Sequence, residues 1–128
     1  MKINLGKKEI IHFIGIGGIG MSGLALIMNQ LGFKIQGSDI SINKNIERLK
    51  KSKIKIFTKH KISNLNKANI VVISSAIKNN NIELKAAKKK YCCGRFTWKN
   101  YYNFINCKCF FKSKIRSYNN KWRCDKFN

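Results

Sequence analysis

The feature that most constrains the fold is a glycine-rich turn between an apolar run and an amphipathic segment. Residues 15–20 have the sequence Gly-Ile-Gly-Gly-Ile-Gly, which satisfies the pattern G-x-G-x-x-G. Residues 9–14 before it have the character of a buried parallel strand. Residues 20–31 after it carry apolar side chains at helical spacing and are followed by Gly32, which predicts a helix that ends there. A strand, a glycine turn and a helix in this order predict a site for a nucleotide diphosphate, because phosphate can approach the glycine backbone and the free N–H groups of the helix N-terminus.

The rest of the apolar pattern predicts a layered fold. Ser41 is placed to cap a helix that contains Ile46 and Leu49. Alternating strands and helices favour an α/β fold, with a Rossmann-like parallel sheet and flanking helices. After the first helix, the pattern predicts strands at 33–36, 53–57 and 69–74, a helix following Ser41 and a helix at 82–90.

The chain is strongly basic, with 27 Lys and Arg against 5 Asp and Glu and a formal charge of +22. This charge excludes an acidic solvating segment and raises the alternative of a nucleic-acid binder. Because Lys, Asn and Ile all have A/T-rich codons and are abundant here, we attribute the charge to coding composition and expect no specific nucleic-acid partner. The apolar run at 10–19 is broken by glycine and too short to span a bilayer, and no leader is visible. We therefore expect a cytoplasmic protein without membrane insertion.

Composition changes at residue 90. All 5 Cys, all 4 Tyr and both Trp come after Lys90, whereas 8 of the 9 Gly come before it. We therefore expect an incomplete nucleotide-binding domain at 1–90 and a poorly ordered tail at 91–128 that is not a native domain. The tail cysteines form no C-x-x-C pair, so they do not predict a metal site. Its aromatic and basic residues leave single-stranded nucleic-acid binding as a weaker alternative.

Three polar residues of the first 90 are candidates for ligand contact. Asp39 follows the second predicted strand, where a carboxylate can accept a hydrogen bond from a ribose hydroxyl, although it also suits a helix cap. His12 lies inside the first strand as a core or crevice-lining residue, and His60 lies in a polar loop typical of a surface histidine. Spacing identifies neither histidine as a metal ligand or a base.

Longer strings make the pattern more specific. Residues 12–23 (His-Phe-Ile-Gly-Ile-Gly-Gly-Ile-Gly-Met-Ser-Gly), 37–39 (Gly-Ser-Asp) and 71–77 (Val-Val-Ile-Ser-Ser-Ala-Ile) resemble the start of the Mur ligase family, in its UDP-N-acetylmuramate:L-alanine ligase group. The resemblance covers residues 1–90. It implies an N-terminal domain that binds the UDP part of UDP-N-acetylmuramate, in ATP-dependent, amide-forming enzymes of peptidoglycan synthesis.

The resemblance also implies roles for particular residues. The diphosphate would be held by the glycine turn, the nucleoside side by residues after the second strand, and the crevice would be lined by the loop after residue 73. His60 and Asn64 match a family loop motif and are further possible contacts. The substrate-binding residues implied are Gly15, Gly17, Gly18, Ile19, Gly20, Ser38, Asp39, Ser74, Ser75 and Ala76.

Intact members of the family use ATP and Mg²⁺ through a Gly-Lys-Thr phosphate loop. No Gly-Lys-Thr or Gly-Lys-Ser occurs in the 128 residues. We therefore expect a fragment that binds the UDP substrate, binds neither ATP nor Mg²⁺, and has no catalytic or metal-ligating residue. The alternative is a stand-alone Rossmann-like module that binds a dinucleotide such as NAD.

The tail can be interpreted as the following family segment in another reading frame. When codons are re-read one nucleotide forward, Trp98 and the first base of Lys99 force a glycine, and the surrounding codons permit His-Gly-Lys-Thr-Thr-Thr-Thr-Ser. This string resembles the ATP phosphate loop of the same family. We therefore hypothesise a frame change near the Lys88–Lys90 run, which resequencing of the gene across codons 85–94 tests.

Overall fold

The computed structural model of the chain describes residues 8–99 and 104–112. Strands and helices alternate over residues 10–90 as the apolar pattern predicts, and a 3₁₀ turn at Ile62–Leu65 lies between the third and fourth strands. The elements are β1 (Ile10–Ile14), α1 (Ile19–Gln30), β2 (Lys34–Ser38), α2 (Lys44–Lys51), β3 (Lys55–Phe57), β4 (Ile70–Ser74), α3 (Ile82–Lys90), β5 (Tyr91–Lys99) and β6 (Phe104–Lys112).

The first four strands form a parallel sheet in the order β3-β2-β1-β4. At the carboxyl end of the central strand, Ile14 is paired with Ser38 of β2 and with Ile73 of β4. Strands β2 and β4 therefore lie on opposite sides of β1. This arrangement confirms the predicted α/β fold, and it places a crevice between the loop that follows β1 and the loop that follows β4.

Alternation along the strands produces two separate apolar cores. Ile11 and Phe13 of β1 face α1 and α2, while Ile14 faces α3 and the 3₁₀ turn. Each fully buried side chain of this size stabilises the fold by about 1.5–3 kcal/mol. The core on the α1 and α2 side contains Ile11, Phe13, Ile16, Met21, Leu24, Ala25, Ile35, Ile46, Leu49, Ile54, Ile70 and Val72, and the core on the α3 side contains Ile14, Leu65, Ala68, Val71, Ile73, Leu84, Ala86 and Ala87.

Helix ends differ in one detail from the sequence prediction. Gly32 has φ +92° and follows α1, as expected for a glycine that terminates a helix. The cap of α2 is Asn43 rather than the predicted Ser41, because the Asn43 side chain accepts from Ile46 N–H at 3.0 Å. The Ser41 hydroxyl instead donates to Asp39 at 2.7 Å. Within the described residues, no helix is long and apolar enough to cross a membrane.

Two segments of the tail extend the sheet. β6 pairs antiparallel with β4, with Ile70 opposite Phe111, and β5 pairs antiparallel with β6. No element was predicted here from the sequence, and both segments join the sheet through main-chain pairing. A physical reason is that β4 offers an unpaired backbone edge and the chain contains no Pro, so an extended segment can add to that edge by main-chain hydrogen bonds. The expectation for 100–103 and 113–128 lies outside the described residues.

Gly37 in β2 is required by close packing. A Cβ there would lie 2.5 Å from Ile16 Cδ1 and 2.9 Å from the carbonyl oxygen of Phe13. We expect Gly37→Ala to lower the free energy of unfolding by about 2 kcal/mol, because the backbone must shift to relieve the overlap. Urea denaturation of the full chain measures this change.

Gly23→Ala is the matched control, because nothing lies within 4 Å of a Cβ at that position of α1. The same chemical change should raise stability there by up to about 1 kcal/mol through helix propensity. Equal effects of the two substitutions would contradict the packing role of Gly37.

Candidate functional site

A cleft of about 470 Å³ opens at the carboxyl ends of β1, β2 and β4. The glycine turn after β1 forms one wall, the loop after β2 a second, and the loop between β4 and α3 a third. Ligands of open parallel sheets bind at this position, where neighbouring connections diverge. The cleft is lined by Gly15, Gly17, Gly18, Asp39, Ile40, Ser41, Asn43, His60, Ser74, Ala76, Ile77, Lys78, Asn80 and Asn81.

The first turn of α1 offers free backbone donors beside this cleft. Gly18 is extended and caps the helix without a side-chain bond, and the helix ladder starts with Ser22 N–H donating to the Gly18 carbonyl at 2.8 Å. The amides of Ile19, Gly20 and Met21 have no hydrogen-bond partner within the part of the chain that the structure describes. Unpaired N–H groups at the positive end of the helix dipole attract anions.

The earlier amides of the glycine turn are used internally. Gly15, at φ +79°, donates to the Ser38 carbonyl at 2.8 Å, and Gly18 donates to the Gly15 carbonyl at 3.3 Å. Gly17 donates to Asp39 Oδ2 at 2.8 Å. Free donors for a phosphate therefore begin at Ile19.

Three side chains hydrogen-bond to Gly17, one from the residue after β2 and two from the start of α2. Asp39 accepts its N–H, while the amide groups of Asn43 and Asn45 donate to its carbonyl oxygen at 3.2 and 3.1 Å. The other Asp39 oxygen, Oδ1, accepts from Ser41 N–H and from the Ser41 hydroxyl, at 2.9 and 2.7 Å. Asp39 thus orients the glycine turn in this structure, and neither asparagine was singled out from the sequence.

The residues implied by the family resemblance fall into three groups. Ser38 and Asn64 are buried beneath the cleft, while Ile19, Gly20 and Ser75 lie at its margin without lining it. The sequence left His12 as either a core or a crevice-lining residue. Its side chain is fully buried, so it belongs to the core. His60, expected at the surface, instead contacts the cleft with 15% of its side chain exposed. The predicted residues that line the cleft are Gly15, Gly17, Gly18, Asp39, His60, Ser74 and Ala76.

Beneath the cleft lies a buried carboxylate, Glu83 of α3. Its Oε1 accepts from Asn64 Nδ2 at 2.6 Å and from Lys61 N–H at 3.1 Å. Its Oε2 accepts from His12 Nε2 at 2.9 Å and from the Ser38 hydroxyl at 2.7 Å. Burial raises the pKa of Glu83, but the hydrogen bond and electrostatic attraction from the His12 N–H, together with the hydrogen bonds from Ser38 and Asn64, outweigh burial and hold the pKa below its ordinary value.

The orientation of these bonds follows from their donors. Gln36 Nε2 donates to the Asn64 carbonyl at 2.9 Å and lies 3.0 Å from His12 Nδ1. An amide nitrogen can only donate, so His12 Nδ1 accepts and its Nε2 carries the proton that bonds Glu83. Sequence reasoning missed Glu83, although it occupies the same helical stripe as the apolar Ala86 and Ala87, where an acid is unexpected.

Comparisons with known proteins agree with this architecture. Residues 10–93 match the family model described as Mur ligase family, catalytic domain. The UDP-N-acetylmuramate--L-alanine ligase of Pelagibacter ubique (strain HTCC1062) is 71% identical over 90 residues, which are 70% of this chain and 19% of the relative. The enzyme of the same name from Brucella ovis is 51% identical over 90 residues, 70% of this chain and 18% of the relative. The chain belongs to the Mur ligase family, and it spans about a fifth of the length of these curated relatives.

Solved structures give the same result for the fold. The crystal structure of UDP-N-acetylmuramate-alanine ligase MurC from Thermotoga maritima superposes with a TM-score of 0.58 at 37% identity, covering 62% of this chain and 18% of that one. A murein peptide ligase from Psychrobacter arcticus superposes with a TM-score of 0.56 at 30% identity, covering 60% and 16%.

The lowered pKa of Glu83 predicts acid-dependent stability. Because the folded state favours the ionised carboxylate, its contribution is complete above the ordinary pKa of 4.5 and is lost as pH falls through the lower folded value. We expect the free energy of unfolding to fall with acidification below about pH 5, by up to about 1.4 kcal/mol per pH unit for one proton. Denaturant titrations of the full chain across this range measure the slope.

Two variants distinguish the contribution of Glu83 to this pH dependence from that of the other acidic residues. Glu83→Gln should flatten this slope and lower the free energy of unfolding by about 3 kcal/mol near neutral pH. The NH₂ group of the glutamine would face N–H and O–H donors, which then lose their acceptor. Glu47→Gln removes an exposed charge and should retain the wild-type slope. A slope unchanged by Glu83→Gln would contradict the lowered pKa.

Proposed function

We propose that the cleft binds the UDP part of UDP-N-acetylmuramate, as the N-terminal domain does in ligases that add L-alanine during peptidoglycan synthesis. The observation that carries this proposal is the set of unpaired amides at Ile19, Gly20 and Met21, at the edge of the sheet where parallel strands end. The family relationship supports the choice of UDP, and the cleft volume lies in the range of small-molecule sites.

Within this proposal, each wall of the cleft contacts a different part of the ligand. Ile19 and Gly20 donate their amides to the diphosphate, while Gly15, Gly17 and Gly18 shape the turn that presents those amides. Ser38, Asp39, His60 and Asn64 form or support the nucleoside side. Ser74 and Ala76 form another wall of the crevice, with Ser75 at its margin.

ATP chemistry is not assigned to these residues. The intact relatives are expected to use ATP and Mg²⁺, but the sequence contains no Gly-Lys-Thr or Gly-Lys-Ser, and no group of three or more metal-ligating side chains occurs among the described residues. We propose that the chain binds substrate in the cytoplasm without catalysing the ligation. We also propose that 1–90 is the native domain and 91–128 an out-of-frame tail, supported by the family match at 10–93.

The NAD-binding alternative has no support from these relatives, which are named for UDP-N-acetylmuramate or murein peptide substrates. Calorimetric titration of the full chain with UDP and with NAD distinguishes the two ligands. Binding of NAD without binding of UDP would overturn the proposal.

Ile19→Pro tests the role of the free amides. Proline is favoured at the first helical position, Gly18 before it is already extended at ψ 151°, and the Ile19 side chain is 90% exposed. The substitution therefore removes one N–H while the helix is retained. Since a hydrogen bond to a charged group contributes about 1.5–3 kcal/mol, we expect UDP affinity to fall about tenfold or more by calorimetry.

Ile19→Ala is the matched control, because it removes the same side chain and keeps the N–H. It should bind UDP as the wild type does. If the proline and alanine variants bind UDP equally, the amide of residue 19 does not contact the ligand.

A further inference from the structure

The buried Glu83 is linked to the cleft through a chain of two hydrogen bonds. The Ser38 hydroxyl has one proton, which it donates to Glu83 Oε2 at 2.7 Å. Its oxygen lies 3.0 Å from His60 Nδ1 and must accept there, so His60 Nδ1 carries a proton. The chain therefore has a fixed direction, from His60 through Ser38 to Glu83.

Electrostatics support the same proton position. His60 Nδ1 lies 3.6 Å from Glu83 Oε1, close to the buried negative charge. The four donors on Glu83 occupy both carboxylate oxygens and stabilise its ionised form. A proton on the ring nitrogen nearest to this charge is favoured over a lone pair.

The opposite ring nitrogen of His60 is available to a ligand. Within the described residues, His60 Nε2 has no hydrogen-bond partner, and the side chain lines the cleft while remaining 15% exposed. When Nδ1 carries the single proton of a neutral imidazole, Nε2 is an acceptor. The cleft thus contains an oriented acceptor on His60, in addition to the unpaired N–H donors beside it in the first turn of α1.

We propose that Glu83 is a positioning residue which, through Ser38, holds His60 with Nδ1 protonated and presents Nε2 to the cleft as an acceptor for a donor group of the bound nucleoside. This inference rests on the proposed UDP site. The donor chemistry is an O–H or N–H group, supplied by either a ribose hydroxyl or the imide N–H of the base.

Nitrogen NMR of the free chain tests the proton position without any ligand. The sequence has only 2 histidines, so ¹⁵N-histidine labelling gives two imidazole patterns. Near neutral pH we expect opposite tautomers, with the proton on Nε2 in His12 and on Nδ1 in His60. A proton on His60 Nε2 in the wild type, with or without one on Nδ1, would overturn the inference.

Two variants test the positioning chain. Ser38→Ala keeps Glu83 paired with His12, Asn64 and Lys61 but breaks the link to His60, so His60 should shift towards the Nε2-protonated tautomer. Glu83→Gln should do the same, and Glu83→Asp should restore part of the wild-type pattern. Glu47→Gln is the charge-removing control and should leave both imidazoles unchanged, whereas an unchanged His60 in folded Ser38→Ala would contradict the chain.

Ligand analogues identify the donor. We expect wild-type affinity to fall about tenfold for 2′-deoxy-UDP or 3′-deoxy-UDP, if a ribose hydroxyl donates, or for N3-methyl-UDP, if the base donates. Ser38→Ala should lose this discrimination between UDP and the analogue. Equal wild-type affinity for UDP and all three analogues would overturn the acceptor role, whereas the predicted tautomers with no UDP binding at all would overturn the proposed function and leave the positioning chain intact.

Discussion

A carboxylate buried without solvent contact has to be surrounded by donors, and Glu83 imposes this requirement on half of the fold. Its donors come from β1, β2 and the segment at 61–64, while the carboxylate itself belongs to α3. These elements must therefore dock together for the charge to be accommodated. The opposite face of the sheet, towards α1 and α2, is held by an apolar core and has no such requirement.

The cleft is positioned by two polar assemblies that meet at the carboxyl ends of the strands. The Glu83 cluster fixes Ser38 and His60 from below, while Asp39, Asn43 and Asn45 fix the Gly17 peptide from the side. Because the peptide groups of the turn are satisfied internally, the unpaired donors are concentrated in the first turn of α1. Unpaired N–H groups and the His60 ring thus border the same crevice, and the proposed nucleoside diphosphate would use both.

Much of the fold was predictable because it depends on local pattern. The apolar run before Gly15, the helical spacing after it and the helix at 82–90 all encode elements that the structure contains. The Glu83 cluster was not predictable, because its partners are up to 71 residues apart and a single acid on a helix carries no signal of which groups surround it. The Asp39 contact with Gly17 was missed for a related reason: spacing places a carboxylate near the turn but does not identify the donor it accepts. Strands β5 and β6 depend on the open edge of β4, which no local pattern reveals.

The first amides of α1 are proposed to bind the anionic part of a nucleotide in the cleft, and amide NMR of the full chain during titration with UDP tests this role most directly. We expect the largest shifts at residues 18–21, with further shifts at 74–78 and little change at the amino-terminal ends of β1 and β4. Shifts confined to residues outside the cleft, or no shifts at saturating UDP, would show that these amides do not bind the nucleotide.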